Sequence, residues 1–299
     1  MISIIICSIN PERCEKTKQN LLETIGIENE IIIHDNRHYQ WGICKVYNYC
    51  ASFAKYKYLC FIHEDVFITT VNWGKKLVEI AENIENCGVI GFAGGLQVPK
   101  NFSSWGPDDV KANVCYGLND KTFEFSKANY KYHLYINKNY EHLSKVLCID
   151  GLFQFVKKSI WENIKYDELT FKGFHCYDAD FSFAVSQNYN NYIIFDIDIY
   201  HDSSGNQDND YIESIFLFQK KWIKQLPKFL IINNKLKYFR AELRHSFYLY
   251  SFCKLIKYKI NKYFYHIIKI NNLFFFILLL FYIPIKIINN NYIKLLKRI

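Results

Sequence analysis

The stretch Phe61-Ile62-His63-Glu64-Asp65-Val66 decides how this chain is read. An apolar, β-prone run over 58–62 stops at three polar residues, and a second β-prone run, 66–71, follows. Carboxylates at the end of a buried strand are costly to keep dry, so the pattern places them at a strand mouth facing solvent or a ligand. A hard divalent cation bound to phosphate favours such a mouth: it takes one or two carboxylate oxygens and leaves its other positions to water and phosphate. The same three residues also fit a plain polar junction between strand and loop, and a motif this short leaves both readings open.

The surrounding chain repeats the pattern. Ile2-Ser3-Ile4-Ile5-Ile6-Cys7-Ser8 reads as a buried strand ending in small polar residues, and a helix is expected over 14–25. Glu30-Ile31-Ile32-Ile33-His34-Asp35-Asn36 gives a second strand with a polar end, and 42–55 a second helix before the third strand at 58–62. Strands alternating with helices predict a parallel sheet, whose ligands bind beyond the carboxyl ends of its strands. Ser8, Asp35 and Asp65 all fall at such ends, so one ligand can touch all three.

These residues and their order resemble the nucleotide-sugar half of a family-2-type glycosyltransferase of the GT-A fold. The features that carry the likeness are Ser8, Asp35-Asn36, Gly42 and Asn48, then Asp65 seventeen residues after that Asn. His63 stands where the family's Asp-x-Asp has its first Asp, which is similar to the divergent branch that includes the streptomycin-biosynthesis-like glycosyltransferase domain. The likeness continues through Val146-Leu147-Cys148-Ile149-Asp150-Gly151, the Tyr166-Asp167-Glu168 turn, Tyr177-Asp178-Ala179-Asp180 with Tyr177 in place of the family's Glu, and Asp198-Ile199-Tyr200-His201. It covers about residues 1–205.

The resemblance implies an α/β fold, a mostly parallel GT-A sheet flanked by helices, and transfer of a sugar from a nucleotide diphosphate to a hydroxyl. It implies a divalent cation, manganese or magnesium, on Asp65 and His201 with His63 in support; imidazole is a competent ligand for such ions. Asp178 matches the acceptor base, a placement that leads to inversion. Ser8 and Asp35 fall to uridine-type recognition, Lys45 and Asn48 to the base or diphosphate, Glu64 to nucleotide-sugar binding and support of the cation, and Asp150 and Gly151 to the sugar and acceptor pocket. A non-catalytic nucleotide-sugar or glycan-binding protein on the same fold is the alternative, since the family's first Asp and its Glu are both replaced.

Half of the 299 residues are apolar, enough for a sizeable core. The ten Cys show no C-x-x-C spacing, so they read as reduced thiols in a cytoplasmic protein rather than a zinc or redox site. The opening Met1-Ile2-Ser3-Ile4 has no basic leader and a strand-length apolar run, unlike a signal peptide. No Gly-x-Gly-x-x-Gly of a dinucleotide site is present. Polar or Gly/Pro-containing stretches at 99–119 and 203–210 are expected as loops, the first over the site.

The net charge of +8 conceals an asymmetry. Residues 215–299 hold 17 Lys plus Arg and a single acid, Glu242, leaving 20 basic and 28 acidic residues in the other 214. The expected division is a catalytic-looking body, 1–214, and a basic, aromatic, helical extension, 215–299. Within the extension, Leu273-Phe274-Phe275-Phe276-Ile277-Leu278-Leu279-Leu280-Phe281-Tyr282-Ile283-Pro284-Ile285 is uncharged. At 13 residues it is shorter than the roughly 20 needed to span a bilayer. Lys269 and Lys286 bracket it, which suits a segment dipping into one leaflet of an anionic membrane, at the inner face of the cell membrane, near a glycan or lipid-linked acceptor. A core helix or a homo-oligomer contact is the competing reading. Nucleic acid is not an expected partner: no binding motif is present and the body is acidic.

Overall fold

The computed structural model describes residues 1–107, 109–118, 130–202, 208–230, 235–271 and 273–288. The chain divides into two compact units. The first comprises Met1–Leu96 and Val110–Ser203, the second Gln97–Asp109 and Ser204–Ile299. The division expected from charge, 214/215, falls inside a continuous helix (Asn209–Trp222), and the second unit also takes in an early segment.

The first unit runs β1 (Ile2–Ser8), α1 (Pro11–Thr24), β2 (Asn29–Asp35), α2 (Ile43–Phe53), β3 (Tyr58–His63), β4 (Val66–Ile68), α3 (Trp73–Asn83), β5 (Cys87–Gly91) and β6 (Ala93–Gly95). After β7 (Gln97–Val98), which belongs to the second unit, come β8 (Val110–Leu118), β9 (Tyr130–Ile136), β10 (Leu143–Val146), β11 (Cys148–Ile149), β12 (Phe153–Lys157), α4 (Lys158–Asn163), α5 (Tyr177–Val185), β13 (Asn190–Ile194) and β14 (Ile199–His201).

Local chemistry explains the first elements. The β-branched run of β1 is buried along nearly its whole length, as a central parallel strand requires. Asn10 caps α1, its side chain accepting the Arg13 N–H, and Pro11 opens the helix, where a missing N–H costs nothing. α1 buries Cys14, Thr17, Leu21 and Thr24, one face at helical spacing. Phe61 and Ile62 of β3 are completely buried, each contributing about 1.5–3 kcal/mol relative to exposure.

Among the described residues, the main sheet has the order β10-β13-β5-β12-β3-β1-β2. β1 runs parallel to both β2 and β3, in a register that sets Ser8 beside Asp35 and Cys7 beside His63. The carboxyl ends of three strands are therefore level. The expected mostly parallel sheet is observed, since β1, β2, β3, β5 and β13 share one direction, with two exceptions: β12 is antiparallel to both β3 and β5, and β10 to β13. The cause is where the chain enters. It reaches β12 through Asp150-Gly151-Leu152 at the mouth, where the Leu152 carbonyl accepts the His63 N–H, so it can only run back away from that edge.

A second sheet is ordered β11-β6-β8-β14-β4, with β9 on β8. Here β14 pairs antiparallel with β4, setting His201 opposite Val66. The stretch 99–119 is not one loop: residues 110–118 form β8, whose Ala112 and Val114 are buried. The Gly, Pro and Asp cluster just before it masks its β-prone sequence. Residues 108 and 119 of the first expected loop, and 203–207 of the second, lie outside the described residues.

Of the ten cysteines, all but Cys7 are buried. Burial pushes Cys7 up to about 12 and Cys87 up to about 11, so they act as small apolar fillers rather than nucleophiles.

The second unit contains α6 (Asn209–Trp222), β15 (Lys228–Phe229), α7 (Lys235–Leu255), α8 (Ile260–Ile270) and α9 (Leu273–Ile288), with β15 antiparallel to β7. Helices in the basic extension agree with the sequence expectation. Its lone acid, Glu242, is buried and accepts the backbone N–H groups of Lys100 and Asn101 at 2.7 and 2.9 Å. Ser103 donates its N–H to His245 Nδ1, and Gln219 donates to the Phe102 carbonyl. Residues 100–103 are thereby woven into the helical unit.

Candidate active site

The level strand ends of the first unit bring together polar side chains from distant parts of the sequence. β3 ends at His63, and the following turn carries Glu64 and Asp65 into β4. The β4–β14 pairing brings His201 alongside, and the Asp202 N–H bonds the Asp65 carbonyl at 3.0 Å. His63 Nδ1 lies 3.4 Å from His201 Nε2, which lies 3.3 Å from Asp65 Oδ1. Among the described residues, His63, Asp65 and His201 form a group whose donor atoms all fall within 4.8 Å of one another, a spacing that suits one cation.

The electrostatics agree with that use. Asp65 is only 7% exposed, and its Oδ1 is buried beside His201 Nε2 at 3.3 Å. Burial alone would raise its pKa, but the charge and hydrogen bond of His201, with His63 and Arg13, outweigh it and hold the carboxyl well below its ordinary range. His201 is raised: burial lowers it, and Asp65 more than offsets that. His63 is lowered, chiefly by burial, and stays neutral. The raised His201 favours its protonated form, so a cation would displace that proton on binding; two neutral imidazoles and an ionised carboxylate are then a fitting donor set for a manganese-like ion.

His63 is held by Tyr177. Its Nε2 lies 2.6 Å from the Tyr177 hydroxyl, which in turn donates to the Gly151 carbonyl at 3.2 Å. The hydroxyl has one proton, so both bonds form together in one arrangement: Nε2–H donates to Tyr177, and Tyr177 donates to Gly151. That fixes the tautomer and leaves the Nδ1 lone pair directed toward Asp65 and His201. The two departures from the family pattern, His63 and Tyr177, thus make one paired unit. Tyr177→Phe is expected to weaken Mn²⁺ binding in the presence of UDP by about 10–100-fold, the usual cost of losing a ligand's orienting partner. Calorimetric titration of the metal checks it; an unchanged Kd contradicts the assignment.

Asp178 opens α5, and its Oδ2 accepts the Gly151 N–H at 2.9 Å. Burial and then the nearby charge of Asp150 push its carboxyl up to about 7, against the pull of backbone N–H bonds from Ala179, from Asp178 itself and from Gly151. A carboxylate with that value is suited to take a proton at neutral pH. Gly151 is required beside it: a Cβ there would sit 2.1 Å from the Tyr177 hydroxyl and 3.0 Å from Asp178 Cβ. Asp150 Oδ1 accepts the Leu152 N–H at 2.9 Å, which shapes the turn between β11 and β12.

Other expected contacts are placed differently. Glu64 Oε2 accepts the Ser8 hydroxyl at 2.6 Å and the N–H groups of Ile9 and Asn10 at 3.1 and 3.0 Å. Glu64 and Ser8 therefore lock the β1–α1 turn against β3. Asn48 is correspondingly committed to the fold: its amide donates to the Tyr166 carbonyl and accepts from the Tyr166 N–H and the Trp161 indole, so it does not present that amide to a nucleotide. Asp35 sits level with Ser8 and pairs with Arg37, whose hydrogen bonds hold its carboxyl well below its ordinary range. The Lys45 ammonium lies 3.9 Å over the Trp41 ring, beside a His34–Trp41 stack at 5.1 Å.

Two residues absent from the expected site belong to it. Tyr177 is read in sequence only as a departure from a motif. Arg13, in α1, lies 3.5 Å from Asp65 Oδ2 and 2.6 Å from the Asp202 carboxylate, adding positive charge at the mouth. An Arg in the first turn of a helix carries no sequence signal for that role.

A family model described as "Glycosyltransferase like family" matches residues 3–212, about two-thirds of the chain. The chain belongs to this glycosyltransferase-like family. Its α/β fold with mixed sheets is that of GT-A glycosyltransferases. It is similar in structure to GalNAc-T7 with UDP, GalNAc and Mn²⁺, at a TM-score of 0.50 and 10% identity, over 87% of this chain and 54% of that one. It thus spans about half of GalNAc-T7. It is also similar to TarS 1–349 of S. aureus in complex with UDP-GlcNAc, at a TM-score of 0.48 and 13% identity, over 84% of this chain and 71% of that one. No curated protein matches the chain.

Proposed function

We propose that this glycosyltransferase-like chain moves a sugar from a nucleotide-diphosphate donor to a hydroxyl acceptor with inversion, in the assembly of a cell-surface glycan. The observation that carries the reading is the His63–Asp65–His201 group at the strand mouth, with Asp178 pushed to about 7 in the same unit. His63 Nδ1, Asp65 Oδ1 and His201 Nε2 would hold a divalent cation, manganese or magnesium. The buried Asp65 Oδ1, facing both imidazoles, fits that use. Such a cation, when bound, offsets the negative charge that builds on the leaving diphosphate.

The chain's own residues supply the rest. Arg13 adds a fixed positive charge near Asp65. Tyr177 keeps the His63 lone pair aimed. Asp178 takes the proton from the acceptor hydroxyl as its oxygen bonds the anomeric carbon. The bond from that carbon to the diphosphate oxygen breaks, and the nucleoside diphosphate leaves with the electron pair. Attack opposite the leaving group gives inversion, by the geometric logic of glycosidases.

The choice of UDP and Mn²⁺ for a first test follows the contents of the GalNAc-T7 structure. The finer placement, in the branch similar to the streptomycin-biosynthesis-like domain, rests on His63-Glu64-Asp65 and its Tyr177 partner. Incubation with a panel of UDP-sugars, Mn²⁺ and glycan acceptors is expected to release UDP with at least one donor. UDP binding with no release from any donor supports the non-catalytic alternative.

A further inference from the structure

Within the second unit, α9 has two unlike faces. One buries Phe275, Leu279 and Ile283 at helical spacing, and ring contacts fix it to its neighbours: Phe275 to Phe239 of α7 at 5.9 Å, Phe276 to Phe264 of α8 at 5.3 Å, and Tyr282 to Phe247 of α7 at 6.1 Å. The other face is not covered by any of the described residues. Ile277 is 43%, Leu280 43% and Phe281 69% exposed, and Pro284 is exposed too, positions i, i+3, i+4 and i+7 of one stripe. Exposing such a contiguous apolar ridge is unfavourable unless something covers it.

We propose that this ridge of α9 docks on an anionic lipid bilayer, with the helix lying in the plane of the interface. Charge points to that occupant. The 215–299 extension holds 17 Lys plus Arg against one acid, and that acid, Glu242, is buried. Lys254, Lys257, Lys259, Lys262 and Lys269 are exposed on α7, α8 and the turn between them. α8 also exposes Tyr265 and Ile268 between Lys262 and Lys269, the aromatic and cationic mixture that suits the headgroup region. A second copy would bring the same cations against these, and a nucleic acid would leave the apolar ridge wet. Among the described residues, no helix is long and apolar enough to cross a membrane. The structure thus narrows the sequence expectation: one ridge of the apolar run is free to enter lipid, while its opposite face stays on protein. The inference stands independently of the transferase reading.

Flotation of the full chain tests it, with vesicles of phosphatidylcholine plus phosphatidylglycerol and of phosphatidylcholine alone. The native chain is expected to float with the anionic vesicles. Ile277→Ser with Phe281→Ser should lower the bound fraction at least about tenfold, since it replaces the apolar area that enters the interface. Lys254→Gln with Lys269→Gln should weaken binding and reduce its salt dependence. Native circular dichroism of the serine variant shows that it folds. A separate Phe281→Trp variant should add emission to the five native tryptophans that brominated acyl chains quench. Native-level flotation of the serine variant, a native chain that stays unbound at low salt, or no added quenching overturns the proposal. So does a native dimer that the serine variant turns into a monomer, which gives the ridge to a second copy.

Discussion

Asp178→Asn is expected to lower turnover by a factor of about 10² to 10⁴, the range a positioned general base supplies. UDP binding should hardly change, because the amide oxygen still accepts the Gly151 N–H that Asp178 Oδ2 accepts now. The native rate should rise with pH through about 7, since the base works only after losing its proton, and that limb should vanish in the variant. The same group links activity to stability. Its folded pKa is raised, so its contribution to stability is fully present below about pH 4 and is lost as the pH rises through about 7. Above pH 7 the variant, which has no charge to bury, should therefore be more stable than the native chain, by up to about 4 kcal/mol. Slower transfer with higher thermal stability is the paired signature of a buried base. A variant that transfers sugar at the native rate places the base elsewhere, with Asp180 or Asp150 next.

Asp65→Ala is expected to reduce Mn²⁺-dependent UDP binding by more than about 100-fold, beyond what loss of an outer-shell partner costs. The carboxylate is the one anion among the three donors, so its loss leaves two imidazoles facing Arg13. His201 also loses the partner that raises it and should titrate lower. The pH trend in stability opposes that of Asp178. The Asp65 pKa is depressed in the fold, so its contribution is present above about pH 4 and fades as the pH falls further. UDP affinity that is unchanged in the variant contradicts the role.

Much of this was legible before any coordinates. Strand one over 2–8, the helix near 14–25 and the strands at 30–36 and 58–62 follow from alternating apolar runs, which β1, α1, β2 and β3 match to within a few residues. Their common direction predicts that Ser8, Asp35 and Asp65 fall at one edge, and the observed register sets Ser8 beside Asp35 and Cys7 beside His63, two residues before Asp65. What the periodicity could not carry is the direction of β12. A short apolar run reads alike either way, and only the turn at Asp150-Gly151, closed by Gly151 beneath Tyr177, sends it back. β8 was hidden by the turn-forming residues before it.

The site divides along the same line. Asp65 stands out because it lies in the polar cluster that stops an apolar run, whereas His201 stands out only through the family resemblance. Glu64 and Asn48 carry the same polar signal, but their hydrogen bonds are spent on the β1–α1 turn and on the 161–166 segment. A sequence shows that a polar group is present; the fold determines whether its donors and acceptors are already occupied. Tyr177 is the reverse case. As a substitution it reads as a loss, and only the His63–Tyr177–Gly151 chain of contacts shows what it replaces.

Titration calorimetry of the native chain with UDP, with and without Mn²⁺, tests the central claim most directly. If His63, Asp65 and His201 hold a cation that meets the diphosphate, Mn²⁺ should strengthen UDP binding at least about tenfold, the lower bound of the coupling expected from a shared metal–phosphate site. Equal UDP affinity with and without the metal, or no UDP binding at all, would contradict the account.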